Sequence, residues 1–108
     1  MPPIYEKSDL QGRTAIVTGG SSGIGRVTAQ AFAREGVKVA VSDVDVEGGE
    51  ETVRRISADG GEATFIRADV SDPEECQALV EQTVQTYGAL HFACNNAGIG
   101  GAAALTAD

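Results

Sequence analysis

The sequence contains few of the residues on which metal, disulfide and redox sites depend. Its 108 residues include only two cysteines and one histidine. Cys76 and Cys94 are too far apart for a Cys-x-x-C redox or zinc motif, so we interpret both as small buried hydrophobic residues. His91 lies in a predicted strand without the Cys, Asp or Glu pattern that a metal site or catalytic triad requires. The sequence therefore predicts no metal ion.

Basic residues and long apolar runs are scarce as well. Eight Lys and Arg stand against 16 Asp and Glu, which gives a formal net charge of -8 and no basic cluster. This balance argues against a nucleic acid or an anionic membrane as a partner. No apolar run reaches the 18 residues of a membrane-spanning helix, and the first 12 residues lack the apolar segment of a signal peptide. We expect one small cytoplasmic domain over residues 1–108.

What the sequence does contain is a glycine-rich loop, T-G-G-S-S-G-I-G at residues 18–25, between an apolar run and a helix-like segment. Gly19, Gly23 and Gly25 allow the backbone to turn sharply and to approach a ligand closely. The helix that follows would aim its free N–H groups and positive dipole end at an anion. The loop therefore predicts a binding site for the pyrophosphate of a nucleotide. The other loop residues expected at this site are Ser21, Ser22 and Ile24.

Two other interpretations of the loop explain it less well. A Walker-type phosphate loop has the motif G-x-x-x-x-G-K-[ST], and Gly20 and Gly25 have its spacing, but Arg26 and Val27 replace the required lysine and hydroxyl. A turn that binds nothing would explain one or two glycines, but not three at these offsets. The dinucleotide fingerprint G-x-G-x-x-G is not met literally either, because Thr28 occupies its last position.

Short apolar runs alternate with helix-like segments along the chain. We predict strands at residues 14–18, 37–42, 63–67 and 90–95, and helices at residues 26–35, 46–57 and 73–87. Strict alternation predicts an α/β fold with a doubly wound parallel sheet of about four strands and with helices on both faces. A ligand is expected beyond the carboxyl ends of the strands.

The helices carry their own start, stop and packing signals. Asp72 is the expected N-cap of the last helix, Pro73 its first residue, Glu75 the partner in a capping box, and Gly88 its end. Gly48 and Gly49 weaken the middle helix. Apolar stripes are expected to pack on the sheet. On the first helix the stripe is Ile24, Val27, Ala31 and Phe32, and on the last it is Cys76, Leu79, Val80, Val84 and Tyr87.

Asp43 closes the second predicted strand, near the spacing of about 20 residues expected for the carboxylate that binds an adenosine ribose. At an effective dielectric near 20, two like unit charges about 4 Å apart cost on the order of 4 kcal/mol, so this carboxylate disfavours a 2'-phosphate. No Lys or Arg occurs at residues 20–22 to compensate. We therefore predict NAD rather than NADP as the cofactor. The alternative is that Asp43 and Asp45 are only turn or N-cap residues.

Two further motifs follow the third and fourth strands, Asp69-Val70 and the sequence N-N-A-G at residues 95–98. With the glycine loop and Asp43, they resemble the short-chain dehydrogenase/reductase family, in the same order along the chain. The resemblance implies that the Asp69 carboxylate and the backbone of Val70 contact adenine, and that Asn95 stabilises the sheet. It places three more residues against the cofactor, namely Asn96, Ala97 and Gly98.

The resemblance implies that the sheet is of the Rossmann type and is truncated here to about four strands. It also implies a function. It is that of an NAD-dependent oxidoreductase for a small alcohol or ketone, which forms a homo-oligomer when complete. The family's catalytic Ser and Y-x-x-x-K motif have no match here, because Asp9 follows Tyr5 and His91 follows Tyr87 at the lysine position. We therefore expect the cofactor-binding N-terminal part of a longer enzyme, inactive alone and without a catalytic residue. A non-catalytic dinucleotide-binding module is the alternative, and a phosphate-binding NTPase a more remote one.

Overall fold

Residues 10–96 are described by the structure, which is a computed structural model. Strands and helices alternate along the chain as predicted from the sequence. The elements are β1 (Thr14–Thr18), α1 (Gly23–Arg34), β2 (Lys38–Asp43), α2 (Val46–Ala58), β3 (Ala63–Arg67), α3 (Pro73–Tyr87) and β4 (Phe92–Asn95). Two boundaries differ from the prediction by more than one residue, because α1 already begins at Gly23 and β4 begins only at Phe92. None of the described helices is both long and apolar enough to span a membrane.

The four strands form one parallel sheet in the order β3-β2-β1-β4. Thr18 pairs with Ser42 on one side and with Asn95 on the other, so β1, β2 and β4 end at the same level. The chain runs outwards from β1 to β3 and then returns to the opposite side of β1. In sheets of this kind a ligand binds where the strand order reverses, beyond the carboxyl ends. The predicted Rossmann-type fold is confirmed.

Alternating side chains of the strands pack on opposite faces of the sheet. Ala15 and Val17 of β1 belong to a core cluster with Ala29 of α1 and Ile56 of α2. The intervening residue, Ile16, belongs to a second cluster that includes Leu79 of α3. Thus α1 and α2 cover one face and α3 covers the other, as the doubly wound prediction requires.

The predicted apolar stripe of α1 is wrong. Ile24 and Val27 are 75% and 63% exposed, and Ala31 is exposed as well, whereas Phe32 is half-buried against the core. The helix instead buries its small residues, Gly25, Ala29 and Ala33. Small side chains let the helix approach the strands and the glycine loop closely.

The predicted stripe of α3 is also largely wrong, since the helix buries Leu79 and Thr83. Cys76, Val80 and Val84 are exposed, while Tyr87 is half-buried. The expectation that both cysteines are buried is also wrong, because Cys76 is exposed and Cys94 on β4 is only half-buried. Periodicity located the helix but not the angular position of its buried face, which the neighbouring strands determine.

The ends of α3 confirm most of the predicted signals. The Asp72 side chain accepts a hydrogen bond from the Glu74 N–H, and Gly88 ends the helix in the left-handed conformation with φ of 88°. The capping box is wrong, because Glu75 Oε1 accepts instead from the Asp69 N–H at 2.7 Å. Glu75 thus ties α3 to the loop that follows β3.

The glycines of α2 serve close packing and do not break the helix. A Cβ on Gly49 would lie 2.1 Å from the ring of Phe65, so only glycine fits where α2 crosses β3. Asp45 caps the helix by accepting from the Gly48 N–H. Tertiary packing and this cap outweigh the low helix propensity of glycine.

Candidate functional site

A cleft of about 770 Å³ lies at the carboxyl ends of the strands, where the strand order reverses. This volume is within the range of small-molecule sites. The cleft is lined by eight of the predicted cofactor residues, namely Gly19, Ser22, Ile24, Gly25, Asp43, Asp69, Val70 and Asn96. Six lining residues were not assigned to the cofactor from the sequence: Thr18, Ser42, Val44, Ala68, Ser71 and Asn95. The predicted residues Ala97 and Gly98 lie outside the described residues.

The N-terminus of α1 opens into this cleft without a cap of its own. Ser22 is the N-cap residue, but its side chain makes no capping hydrogen bond, and the first turn contains no acidic residue. By contrast, α2 and α3 are both capped by an aspartate and have acidic residues in their first turns. The first N–H groups of a helix need acceptors. At α1 they, together with the helix dipole, are available to an anion.

Glycine is required within this loop for two different reasons. Gly19 and Gly23 adopt positive φ values of 65° and 57°, which other residues rarely adopt. At Gly25 the reason is space, because a Cβ would lie 1.8 Å from the carbonyl oxygen of Gly19. The loop therefore folds tightly onto the first turn of α1 and leaves its outer side open to the cleft.

Asp43 stands at the end of β2 with its carboxylate held by the backbone. Its Oδ2 accepts from the Ser21 N–H and its Oδ1 from the Asp45 N–H, both at 3.1 Å. Partial burial alone would raise the pKa of this carboxyl, but hydrogen bonds from Asp45 and Ser21 outweigh it and lower the pKa below its usual value. Asp43 is therefore ionised at neutral pH and lies at the cleft.

The structure places Ser21 behind the cleft rather than in its lining. Ser21 is only 3% exposed, its N–H donates to Asp43, and its hydroxyl donates to the Asp45 carbonyl at 2.9 Å. Its polar groups are thus used to join the glycine loop to the end of β2. Through its N–H group, Ser21 holds the carboxylate of Asp43 at the cleft.

Thr18, the last residue of β1, organises the opposite side of the cleft. Its hydroxyl donates to Asn95 Oδ1 at 2.8 Å and accepts from the Asn96 N–H at 3.1 Å. Sequence reasoning missed this role, although the end position on a parallel strand next to the loop could have indicated it. Through Thr18, the end of β1 sets the position of Asn95 at the end of β4 and of Asn96, which follows it.

Two buried polar atoms at the cleft have no hydrogen-bond partner within residues 10–96, namely Ser42 Oγ and Asn96 Nδ2. Buried polar groups in proteins are nearly always paired. Both residues line the cleft, so a polar ligand there would meet groups in need of partners. This observation fits a ligand rich in hydroxyl and amide groups.

Asp69 and Val70 lie in the loop that follows β3, at one side of the cleft. Asp69 Oδ1 accepts from both the N–H and the hydroxyl of Ser71, and these bonds lower the pKa of the Asp69 carboxyl. These bonds give Asp69 a structural role in the turn at Ser71. Asp69 also lines the cleft, and so does Val70.

The cleft thus combines open amide groups at one helix terminus, an ionised carboxylate at a strand end, and unpaired polar atoms on its floor. No Lys or Arg is among the residues lining it in the described part of the chain. Within residues 10–96 there is also no group of three or more His, Cys, Asp or Glu that could hold a metal ion. Amides suit the phosphates of a dinucleotide and the carboxylate suits its ribose hydroxyls.

A sequence model of the family described as short chain dehydrogenase matches residues 13–108. The chain belongs to this family. Short-chain dehydrogenases are oxidoreductases that bind a nicotinamide dinucleotide, NAD or NADP. The family resemblance inferred from the sequence motifs is therefore confirmed.

Individual short-chain dehydrogenases resemble this chain closely. It is 48% identical over 92 residues to a 2,5-dichloro-2,5-cyclohexadiene-1,4-diol dehydrogenase of Sphingobium indicum, covering 85% of this chain and 36% of that protein. It is 47% identical over 87 residues to a cyclohexanol dehydrogenase of an Acinetobacter species, covering 81% of this chain and 35% of that protein. The chain therefore spans about a third of the length of these curated relatives.

Solved structures agree with these sequence matches. The crystal structure of a hydroxysteroid dehydrogenase from Escherichia coli superposes with a TM-score of 0.81 at 37% identity, and the match covers 85% of this chain and 39% of that one. A dehydrogenase/reductase from Sinorhizobium meliloti gives a TM-score of 0.81 at 40% identity, over 86% of this chain and 38% of that one.

Proposed function

We propose that this chain binds NAD as part of an oxidoreductase that acts on a small alcohol or carbonyl compound. The observation that carries the proposal is the ionised Asp43 carboxylate, held at the cleft by two backbone N–H groups. It is positioned to accept hydrogen bonds from ribose hydroxyls and to repel a 2'-phosphate. The absence of Lys and Arg from the described lining supports NAD over NADP, since no cation would neutralise that phosphate.

The remaining cleft residues have distinct roles in this proposal. The open amides at the start of α1, next to Gly19 and Ser22, bind the pyrophosphate. Asp69 and the backbone of Val70 contact the adenine, while Asn96 and, outside the described residues, Ala97 and Gly98 contact the rest of the dinucleotide. Ile24 covers the loop with an apolar side chain. When bound, NAD supplies the acceptor or donor of a hydride, and this chain orients it.

The substrate class rests on the relatives, two of which are named as a cyclohexanol dehydrogenase and a cyclohexadiene-diol dehydrogenase. We propose a small alcohol or ketone as the substrate. We assign no catalytic residue to this chain, and we propose that the proton-transfer groups of the complete enzyme lie in sequence beyond residue 108. The complete enzyme is further proposed to be a cytoplasmic homo-oligomer.

Calorimetric titration of the full-length protein with NAD and NADP tests the cofactor assignment. Coulomb repulsion of about 1 to 4 kcal/mol per unit charge at 4 Å predicts tighter binding of NAD by roughly 5- to 1000-fold. Tighter binding of NADP would refute the role of Asp43, and binding of neither nucleotide would refute the proposal as a whole. NADH formation with cyclohexanol as a trial substrate distinguishes an enzyme from a module that only binds dinucleotide.

A further inference from the structure

Arg26 lies in the first turn of α1, where a positive charge is unfavourable because the helix dipole is positive there. Within residues 10–96 it forms no ion pair. Its guanidinium instead donates three hydrogen bonds to oxygen atoms of the glycine loop and of α2. An arginine in an unfavourable position with such specific contacts calls for a physical reason.

The contacts of Arg26 join three segments of the chain. Its Nη2 donates to the carbonyl oxygen of Ser21 at 2.5 Å and to that of Gly48 at 3.1 Å. Its Nε donates to the hydroxyl of Thr52 at 2.8 Å. Thr52 is fully buried, and its hydroxyl donates in turn to the carbonyl oxygen of Gly20 at 2.6 Å. Arg26 and Thr52 therefore hold two successive carbonyl groups of the glycine loop against α2.

A carbonyl held in this way determines the direction of the next N–H group. In a planar trans peptide the C=O of one residue and the N–H of the following residue point in opposite directions. Because Thr52 holds the Gly20 carbonyl, the Ser21 N–H points away from α2, and it donates to Asp43. Because Arg26 holds the Ser21 carbonyl, the Ser22 N–H points away from α2 as well, and Ser22 lines the cleft.

We propose that Arg26 and Thr52 are positioning residues for the cofactor site, each acting through a different peptide group of the loop. Arg26 orients the Ser22 N–H towards the pyrophosphate, and Thr52 orients the Ser21 N–H that holds the ribose-binding Asp43. Neither side chain touches the cofactor. This inference rests on the proposed binding of NAD, and it adds the two residues that keep the loop in its binding conformation before the cofactor arrives.

Substitutions of the two residues are expected to affect two probes, NAD and adenosine, differently, because adenosine has the ribose but no phosphate. In the full-length protein, Arg26→Met weakens NAD binding about tenfold, which is the loss expected for one hydrogen bond to a charged group. It weakens adenosine binding less than about twofold. Thr52→Val weakens binding of both probes, and of NAD at least as much as of adenosine, because it disturbs Asp43 and also removes the hydroxyl that accepts from Arg26 Nε. Thr52→Ser retains the hydroxyl and restores the affinity for both.

Two further variants separate geometry from charge. Arg26→Lys keeps the charge but loses the planar fork, so NAD binding remains weakened at least several-fold. Arg54→Met removes a charge from the exposed face of α2, where Arg54 hydrogen-bonds only Glu51 within residues 10–96, and leaves both affinities unchanged. Wild-type NAD affinity in Arg26→Lys would overturn the role of Arg26. Equal losses of affinity for NAD and for adenosine in Arg26→Met would overturn it as well.

Amide hydrogen exchange in the ligand-free protein provides a readout that does not require NAD. The amides of residues 20–23 exchange faster in Arg26→Met than in the wild type, whereas the central strand β1 remains equally protected. If the wild type bound no NAD, the proposed function would fail, and faster loop exchange would still support the restraint by Arg26. Unchanged loop exchange together with unchanged NAD affinity would refute the restraint itself.

Discussion

Replacing Asp43 with asparagine removes the charge at the ribose side of the cleft and changes little in volume. In the structure this carboxylate accepts one backbone N–H on each oxygen, from Ser21 and from Asp45. Asparagine has a single carbonyl oxygen, so one of these N–H groups loses its acceptor and faces an amide NH₂. We expect Asp43→Asn to lower the free energy of unfolding by about 1 to 2 kcal/mol, the value of one such hydrogen bond.

The effect on cofactor choice is larger and has a definite sign. Repulsion between a carboxylate and a 2'-phosphate about 4 Å away lies between roughly 1 kcal/mol in water and 4 kcal/mol at an effective dielectric of 20. Removing it reduces the ratio of NAD to NADP affinity by about 5-fold to 1000-fold. NAD itself binds more weakly in the variant, because its ribose hydroxyls lose a charged acceptor.

The assay is a calorimetric titration of wild type, Asp43→Asn and Asp59→Asn with both nucleotides, together with thermal denaturation of each protein. Asp59 caps the C-terminus of α2 outside the cleft lining, so Asp59→Asn removes the same charge without changing the ratio. A ratio of NAD to NADP affinity that stays at its wild-type value in a folded Asp43→Asn protein would refute the assignment of Asp43.

Three other predictions concern the same cleft. Gly25→Ala places a methyl group 1.8 Å from the Gly19 carbonyl oxygen, so denaturant unfolding should show a loss of stability of about 1 to 3 kcal/mol; wild-type stability would contradict the close packing. Thr18→Val removes the hydroxyl that accepts from the Asn96 N–H at 3.1 Å and donates to Asn95 Oδ1 at 2.8 Å, and it leaves the Asn96 N–H only the Thr18 carbonyl oxygen at 3.3 Å. NAD affinity therefore falls several-fold while Thr18→Ser stays near wild type, and equal losses in both would argue against the hydroxyl. The lowered pKa of Asp43 means that its carboxylate stabilises the fold above the usual carboxyl pKa near 3.8 and loses this effect only as the pH falls through the lower folded value. Asp43 therefore stays ionised from about pH 5 to pH 8, whereas a 2'-phosphate gains its second negative charge near about pH 6. NAD preference is therefore present at about pH 5 and increases towards pH 8, and a preference that disappears near pH 6 would contradict this.

The elements of the fold could be predicted because their signals are local. Apolar runs, the Asp72 cap and the Gly88 stop are properties of neighbouring residues, and the structure confirms them. The buried face of each helix is not local, since it depends on the strands against which the helix packs. The stripes predicted for α1 and α3 were therefore largely wrong, although Leu79 was predicted correctly, and small residues such as Ala29 form the contact of α1 instead.

The same distinction between local and non-local signals applies to the candidate site. The sequence motifs identified most of the residues that line the cleft, because strand ends and a glycine loop must meet at the carboxyl edge of a parallel sheet. They did not identify Thr18, whose hydroxyl joins β1 to the segment after β4. They also did not distinguish Ser21, which faces inwards, from Ser22, which lines the cleft. Hydrogen bonds between distant residues leave no spacing in the sequence to detect.

By itself, the sequence determined the alternating α/β order, the family, and the carboxylate at the end of β2. Periodicity, glycine spacing and strand ends can be recognised from residues that are close together in the sequence. Only the tertiary structure decided the direction in which each loop amide points. That direction depends on Arg26 and Thr52, whose partners lie on other segments, and on the distance at which α1 and α2 pack. A cofactor loop is thus specified by its glycines but oriented by contacts that only the folded chain brings together.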